Sequence, residues 1–297
     1  MKHPKRPGFL GLGIMGLPMA INLAEKSGLQ VWGFDISDER TRLFTERGGG
    51  VIGDLRKIGT ESDVIFLSLP SNEIVESVVG ELLSLCPAGT VIVDTSSSSP
   101  EMIRALYKKG KSKGIQLLDC PVSGGEPAAI DGTLALMCGG DRDVFDRVLP
   151  LLKTMGSTVT YMGDSGNGAV AKIANNMIVG CHLAVLGEAF CFAKKAGLDI
   201  ETLYEAIKNG FAGSAVLNAK APRLIEGNYS PSARIAVHLK DLKNASELAR
   251  QMNVKIPLSE IVLDYMDKME VQGRINEDHC AIARIYEQSM GVRLGRG

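Results

Sequence analysis

The residues Gly8-Phe9-Leu10-Gly11-Leu12-Gly13-Ile14-Met15-Gly16 are the most informative about the architecture of the first part of this chain. It places a G-x-G-x-x-G pattern directly after an apolar run and before a helical stretch that ends near Gly28. In that context the first glycine permits a tight turn, the second lets a pyrophosphate approach the backbone, and the third lets the helix pack on the strand. The pattern predicts a dinucleotide site built from backbone N–H groups at a helix N-terminus. The residues expected to contact the dinucleotide are Gly11, Gly13, Ile14, Met15 and Gly16.

An acidic residue at the end of the next predicted strand supports this interpretation. Asp35 lies nineteen residues beyond Gly16, where a carboxylate can accept hydrogen bonds from both ribose hydroxyls of adenosine. Its alternative role is that of a turn residue or helix cap, because Ser37 and Asp38 follow directly.

The same carboxylate indicates which nicotinamide cofactor to expect. Asp35 would repel a 2′-phosphate, and Ile36 stands where an arginine would favour NADP. NAD is therefore the expected cofactor, while Arg40 and Arg42 lie close in the sequence and keep NADP possible.

Short β-rich runs alternate with amphipathic helical stretches up to about residue 163. Several runs are continuously apolar, as expected of parallel strands covered on both faces. This order predicts a doubly wound α/β sheet of the Rossmann type. The predicted strands are Gly8–Leu12, Gln30–Asp35, Val64–Leu69, Thr90–Asp94, Ile115–Asp119, Thr133–Cys138 and Thr158–Met162.

From Gly166 onward the β signals stop and helical patterns take over. The 297 residues suit two domains at about 150 residues each. We therefore predict a dinucleotide-binding Rossmann domain over residues 1–163 and an all-helical substrate and oligomerisation domain over residues 164–297, joined through a long interdomain helix. The predicted helices are Ala169–Ala196, Ile200–Asn209, Leu239–Met252, Pro257–Gln272 and Ile282–Met290.

The composition is that of an ordinary soluble globular protein. Thirty-three basic residues balance thirty-four acidic ones, for a net charge of −1, which argues against a nucleic-acid partner. The longest uncharged apolar stretch, Ile173 to Gly187, contains Asn175, Asn176 and His182. It falls short of the ~20 apolar residues of a membrane span, so we expect a buried helix and no membrane partner. Because the N-terminal residues show no signal-peptide pattern, we also expect a cytoplasmic protein.

The six cysteines show no C-x-x-C and no histidine partner at metal-site spacing. We expect reduced, mostly buried thiols and no metal site.

Three further segments have side chains or backbone groups that suit a ligand. Leu69-Pro70-Ser71-Asn72 and Asp94-Thr95-Ser96-Ser97 follow predicted strand ends, the edge where ligands bind in such sheets. Asp119-Cys120-Pro121-Val122-Ser123-Gly124-Gly125 ends in one hydroxyl and two unhindered N–H groups, which together suit a carboxylate. Ordinary turn chemistry and a glycine-rich connection explain these segments about equally well.

The run from Gly166 to Asn176 opens the long helix. Lys172 and Asn176 are four residues apart and so share a face. Desolvation at the domain junction would make the Lys172 amine a usable proton donor and acceptor; a capped helix with a solvated lysine is the alternative.

A later cluster, His238 to Lys243, fits a solvated first helical turn. His182 and His279 fit packing or surface positions.

Taken in order, these motifs resemble those of the β-hydroxyacid dehydrogenase family, also called the 3-hydroxyisobutyrate dehydrogenase family. The resemblance covers the chain from Gly8 to about Val292. It rests on G-F-L-G-L-G-I-M-G-L-P-M-A, D-C-P-V-S-G-G, G-N-G-A-V-A-K-I-A-N-N-M and H-L-K-D-L. Two runs, G-G-E-P-A-A-I-D-G-T-L and G-F-A-G-S-A-V-L-N-A-K-A-P, are most similar to members that reduce tartronate semialdehyde to glycerate, although Asn176 stands where those members have glutamine.

The resemblance implies a hydride-transferring oxidoreductase with specific residue roles. Lys172 would be the general acid/base, and the helical domain would form the contacts of a homodimer or homotetramer. The other implied roles are pyrophosphate binding by Gly11, Gly13 and Gly16, ribose binding by Asp35, further cofactor contacts by Leu69, Pro70, Ser96 and Lys240, carboxylate binding by Ser123, Gly124 and Gly125, and hydroxyl or carbonyl binding by Asn176.

Other functions fit the sequence less well. Within the family, 3-hydroxyisobutyrate or another hydroxymethyl or sugar acid is the alternative substrate. A non-catalytic dinucleotide-binding protein and an imine reductase are disfavoured because Lys172 is present. The helical part is too short for a 6-phosphogluconate dehydrogenase.

Overall fold

The computed structural model describes residues 4–295. The outermost ends of the two predicted domains, residues 1–3 and 296–297, lie outside the described residues. The chain forms two compact units that divide between Lys172 and Ile173, whereas the sequence predicts a boundary between residues 163 and 164. Within the first unit, the buried carboxylate of Asp119 accepts hydrogen bonds from the backbone N–H groups of Gly166 and Ala169, which ties this segment to a strand end.

The first unit contains one nine-stranded sheet with the order β3-β2-β1-β4-β5-β6-β8-β7, and β9 pairs with β8. All neighbours are parallel except that β8 runs antiparallel to β6 and β7. The chain order reverses at β1, which gives the switch point of a doubly wound sheet. The strands are β1 (Pro7–Leu10), β2 (Trp32–Phe34), β3 (Val51–Ile52), β4 (Val64–Leu67), β5 (Val91–Asp94), β6 (Gln116–Asp119), β7 (Val122–Ser123), β8 (Ala135–Gly139) and β9 (Thr158–Gly163).

Apolar side chains cover both faces of this sheet, which confirms the predicted doubly wound architecture. Phe9 and Phe66 are register partners in β1 and β4, and their rings stack with centroids 6.0 Å apart in one apolar cluster. Leu10 and Ile65, the adjacent residues, belong to a second cluster. The helices that supply the rest of both clusters are α1 (Gly16–Ser27), α2 (Asp38–Glu46), α3 (Leu55–Glu61), α4 (Asn72–Leu85), α5 (Pro100–Ser112), α6 (Gly125–Asp131) and α7 (Arg142–Met155).

The second unit is helical and has its own apolar core. Helix α8 (Asn167–Lys195) begins before the division and continues through it. The later helices are α9 (Ile200–Ile207), α10 (Ala215–Glu226), α11 (Ile235–Gln251), α12 (Pro257–Val271), a short 3₁₀ helix (His279–Ile282) and α13 (Ala283–Met290). Each of the five predicted helices overlaps an observed helix.

Helix α8 is, among residues 4–295, the one helix that is long and apolar enough to cross a membrane by length and composition alone. Half of its most apolar stretch is buried within the structure.

Candidate active site

The glycine turn between β1 and α1 has a shape that admits a phosphate. Gly11 has a φ of +89°, and a Cβ on it would lie 2.3 Å from the Ser68 carbonyl oxygen. A Cβ on Gly16 would lie 1.9 Å from the Gly11 carbonyl oxygen, so strand and helix approach as closely as glycine permits. A Cβ on Gly13 would meet nothing within 4 Å. No side chain caps α1, so the turn fits a pyrophosphate held by backbone N–H groups.

Asp35 follows β2 at the same edge of the sheet. Its Oδ2 accepts a hydrogen bond from the Leu12 N–H at 2.6 Å, and its Oδ1 accepts one from the Ser37 N–H at 2.9 Å. A carboxylate offers about four acceptor positions, so both oxygens retain capacity for ribose hydroxyls. The helix-cap role belongs instead to Ser37, whose hydroxyl accepts from the Arg40 N–H.

The ends of β4 and β5 bring Leu69 and Ser96 together. The Leu69 N–H donates to the Ser96 Oγ at 2.9 Å, and the Ser96 N–H donates to the Asp94 carboxylate at 3.0 Å. Pro70 is exposed beside them. Because the carboxyl ends of β1, β2, β4 and β5 meet at one edge, these residues and the glycine turn can contact one extended ligand.

Ser123 ends β7, and the two glycines after it have backbone conformations that other residues rarely adopt. Gly124 has a φ of +136° and Gly125 a φ of +71°. Both are exposed. A Cβ on Gly124 would lie 2.6 Å from the Cβ of Ala128, so glycine is needed here for close packing as well as for the turn.

Asp119, at the end of β6, is a buried carboxylate that the sequence interpretation did not single out. It is 1% exposed, and its two oxygens accept the N–H groups of Gly166 and Ala169, each at 2.8 Å. Burial raises the pKa of this carboxyl to about 6, against the lowering effect of the two N–H donors. Asp119 therefore fixes the start of α8, the helix that carries Lys172.

Helix α8 places Lys172 half-buried and Asn176 buried. In the second unit the Asn176 Nδ2 donates to the Asp241 carboxylate, and the Lys240 Nζ lies 3.4 Å from the other oxygen of that carboxylate. Two predicted site residues, Asn176 and Lys240, are thus joined by a third that sequence reasoning missed. The motif H-L-K-D-L could have indicated this residue, because it places the Asp241 carboxylate directly after the predicted cofactor residue Lys240.

Comparison with known proteins identifies the family. A protein-family model described as the NAD binding domain of 6-phosphogluconate dehydrogenase matches residues 6–163. A second family model, described as NAD-binding of NADP-dependent 3-hydroxyisobutyrate dehydrogenase, matches residues 166–286. The chain is 37% identical to 2-(hydroxymethyl)glutarate dehydrogenase from Eubacterium barkeri over 301 residues, which cover all of both proteins. The chain belongs to the 3-hydroxyisobutyrate dehydrogenase family.

Other members of this family are similar over almost the whole chain. The 2-hydroxy-3-oxopropionate reductase of Escherichia coli K12 is 36% identical, with 97% of this chain and 99% of the relative covered. A structure of Mycobacterium tuberculosis 3-hydroxyisobutyrate dehydrogenase with L-serine has a TM-score of 0.86 and 28% identity, and 96% of this chain and 99% of that chain are covered. Family membership makes the chain an NAD(P)-dependent oxidoreductase of the β-hydroxyacid dehydrogenase type, as the resemblance implied.

Proposed function

We propose that this chain reduces a small semialdehyde carrying a carboxylate to the corresponding β-hydroxyacid, with tartronate semialdehyde, which gives glycerate, as the preferred substrate. The observation that carries the proposal is Lys172 on α8, four residues before an Asn176 whose side chain is held by Asp241. A lysine and a fixed amide on one helix face can act on one carbonyl oxygen.

The reaction needs one hydride and one proton. When bound, NADH would supply the hydride to the aldehyde carbon. The Lys172 ammonium donates its proton to the carbonyl oxygen as negative charge develops there, and in the oxidising direction the neutral amine accepts that proton. Asn176 has a second Nδ2 proton beyond the one given to Asp241, and this proton serves a substrate oxygen.

The carboxylate of the substrate is assigned to the end of β7. The Ser123 hydroxyl and the backbone N–H groups of Gly124 and Gly125 are donors of the kind that bind a carboxylate. Tartronate semialdehyde has one further hydroxyl that polar groups such as Asn176 can bond, whereas methylmalonate semialdehyde has a methyl group there. A site that bonds a hydroxyl rejects the analogue lacking it by up to roughly 10⁴-fold.

NAD is the proposed cofactor rather than NADP. The adenosine ribose is assigned to Asp35, whose charge disfavours a 2′-phosphate, and the next residue, Ile36, is 95% exposed and carries no charge. The pyrophosphate is assigned to the turn of Gly11, Gly13, Ile14, Met15 and Gly16, and the rest of the cofactor to Leu69, Pro70, Ser96 and Lys240.

A second candidate substrate is 2-(hydroxymethyl)glutarate. The full-length similarity to the Eubacterium barkeri dehydrogenase supports it. That substrate carries a second carboxylate, so the two candidates differ in charge.

One panel of initial rates tests these proposals. NADH and NADPH are each assayed with tartronate, methylmalonate and succinic semialdehydes, and NAD is assayed with 2-(hydroxymethyl)glutarate in the oxidising direction. We expect the highest kcat/KM with NADH and tartronate semialdehyde. A higher value for methylmalonate semialdehyde or for 2-(hydroxymethyl)glutarate would replace the substrate, and no rate with any of them would overturn the proposed function.

We further propose that the Rossmann part binds the dinucleotide and the helical part serves substrate binding and self-association, and that the protein works in the cytoplasm as a homodimer or homotetramer. Support for self-association comes from one face of α8, where Ile178, Val185 and Phe192 are exposed at seven-residue intervals. Residues seven apart lie on the same side of a helix.

A further inference from the structure

A buried polar cluster in the second unit has no role in the reaction described so far. It consists of His238, His279, Asp278 and Lys220, all of them buried. The Lys220 Nζ lies 3.0 Å from both carboxylate oxygens of Asp278. Burying a polar group costs free energy unless hydrogen bonds compensate for its desolvation. The hydrogen bonds of this cluster therefore identify the residues that it holds in position.

The two histidines connect this cluster to Asn176. The His238 Nε2 lies 2.9 Å from the main-chain oxygen of Asn176, and the His238 Nδ1 lies 3.0 Å from the His279 Nδ1. A carbonyl oxygen can only accept, so the His238 Nε2 must carry a proton.

This requirement fixes the protons of both rings when both are neutral. A neutral His238 protonated at Nε2 has a lone pair at Nδ1, which must accept a hydrogen bond. The His279 Nδ1 must then carry the donated proton. Its Nε2 is left as a lone pair, and within the described part of the chain this buried atom has no hydrogen-bond partner.

The surroundings of His279 keep its ring neutral. Burial lowers the pKa of His279 to about 3, and the neighbouring His238 and Lys220 act in the same direction, while Asp278 acts in the opposite one. The charge of Asp278 is itself satisfied by Lys220 and by the hydroxyl of Ser232 at 2.6 Å. The His279 ring therefore stays neutral through the neutral pH range, and its Nδ1 is the donor to a neutral His238.

Helix α11 thus holds Asn176 at two points. His238 bonds its main-chain oxygen, and Asp241, three residues later on the same face of α11, bonds its side-chain amide. Gly180 leaves space for this arrangement, because a Cβ there would lie 3.1 Å from the His238 Nε2.

We propose that His238 and Asp241 are positioning residues that fix the Asn176 amide for the substrate, and that His279 fixes the tautomer in which His238 can do so. The inference rests on the proposed function, since Asn176 matters there as a ligand of the substrate oxygen. It adds three residues to the reaction without placing any of them in contact with substrate.

Paired variants separate positioning from simple packing. His238→Leu removes the donor to Asn176, whereas His238→Gln places an amide N–H near the position of Nε2. His279→Leu and His279→Asn form the same kind of pair for the Nδ1 donor. One hydrogen bond of ordinary strength corresponds to about a tenfold change in rate. We expect kcat to fall about tenfold in each leucine variant and to recover in the amide variants, with the Kd of NADH unchanged.

Asp241 provides a third pair. Asp241→Ala removes the acceptor of the Asn176 amide, and Asp241→Asn retains an acceptor oxygen without the charge. We expect kcat to fall more in the alanine variant than in the asparagine variant. Asp264→Asn, which removes an exposed pair with Lys268, is the control and should keep the kcat of the unaltered protein.

A measurement without turnover tests the tautomers directly. Long-range ¹H–¹⁵N spectra of the unaltered protein distinguish protonated from unprotonated ring nitrogens. We expect a proton only on the His238 Nε2 and only on the His279 Nδ1 at pH 8, with no titration of His279 between pH 6 and 8. The opposite tautomers, or a titration of His279 in that range, would overturn the inference even where a leucine variant fails to fold.

The kinetic outcomes also separate the two proposals. If the unaltered protein reduces a semialdehyde and the leucine and alanine variants keep its kcat, the positioning inference is wrong and the proposed function stands. If the unaltered protein reduces none of the semialdehydes and oxidises no hydroxyacid, the proposed function is wrong and the positioning role is lost with it.

Discussion

At the scale of single residues, Lys172 has the most direct chemical role in the proposed reaction. Lys172→Ala removes the proton donor but leaves the glycine turn and Asp35 intact. We expect kcat to fall by about 10²–10⁴-fold, the usual contribution of a general acid or base, and the Kd of NADH measured by fluorescence to stay the same. Lys195→Ala, at the exposed end of the same helix, is the control. A kcat close to that of the unaltered protein across pH would assign the proton to another group.

Asp35 should determine which cofactor is used. The double variant Asp35→Ser with Ile36→Arg removes the charge that repels a 2′-phosphate and adds one that attracts it. We expect the ratio of kcat/KM for NADH over NADPH to be above one in the unaltered protein and to fall at least tenfold in the variant. Asp38→Ser, which removes a nearby charge in the first turn of α2, should leave the ratio unchanged. A natural preference for NADPH would contradict the assignment of Asp35.

Residues that belong to a short motif could be predicted from the sequence, and residues that act by supporting them could not. The glycines of the turn, Asp35 and Lys172 stand in local patterns with a known physical purpose. Asp241 supports Asn176 across 65 positions of the chain, and no local pattern reports such a pairing. His279, expected to be a packing or surface residue, is buried against His238.

At the scale of secondary-structure elements, the contact between β6 and the start of α8 should make stability depend on pH. The pKa of Asp119 is raised to about 6 by burial, so the folded state holds this proton more tightly than the unfolded chain does. The protonated Asp119 carboxyl therefore contributes fully to the free energy of unfolding below about pH 4, and this contribution is lost as pH rises to about 6. The loss is at most about 3 kcal/mol.

Urea unfolding from pH 4 to pH 7 measures this effect. The stability of the unaltered protein relative to Asp119→Asn should decrease as pH rises through this range. Asp146→Asn, on an exposed ion pair with Arg142, should show no such trend. A constant difference between the protein and Asp119→Asn would contradict the raised pKa.

Two helical glycines should respond in opposite ways to alanine. A Cβ on Gly168 would lie 2.3 Å from the Met137 carbonyl oxygen and 2.4 Å from that of Asp119, so Gly168→Ala should lower the Tm by several degrees. A Cβ on Gly80 in α4 meets nothing within 4 Å, and Gly80→Ala should stabilise the protein by about 0.5–1 kcal/mol. Equal shifts in both variants, measured by calorimetry, would show that close packing at Gly168 is unimportant.

Most elements could be predicted because their periodicity extends over several residues. All seven predicted strands overlap observed ones, with ends that differ by at most two residues. The strands β3 and β7 are two residues long and leave no periodicity to detect. Helix α10 was not predicted: it contains Pro222, a residue that normally ends a helix, but Ser214 caps its first turn.

At the scale of the whole molecule, the exposed face of α8 predicts self-association. Phe192 and Val185 are 67% and 53% exposed, and burying such side chains against a second copy is favourable. We expect a dimer or tetramer by size-exclusion chromatography with light scattering, and a shift toward monomer in the double variant Val185→Glu with Phe192→Glu. Val271→Glu, at another exposed apolar position, should leave the mass unchanged. A monomeric protein would contradict the proposed oligomer.

The shared helix α8 also limits how this enzyme can be recombined with its relatives. A crossover just before Asn167 would join Asp119 and Gly166 from one parent to the Ala169 N–H of another, and a crossover at Lys172 would divide a continuous helix between parents. Hybrid genes that exchange cofactor and substrate preferences should therefore retain β6, the turn before α8 and all of α8 from one parent. The segment to keep from a single parent in such hybrids is therefore Gln116 to Lys195, which includes parts of both compact units of the fold.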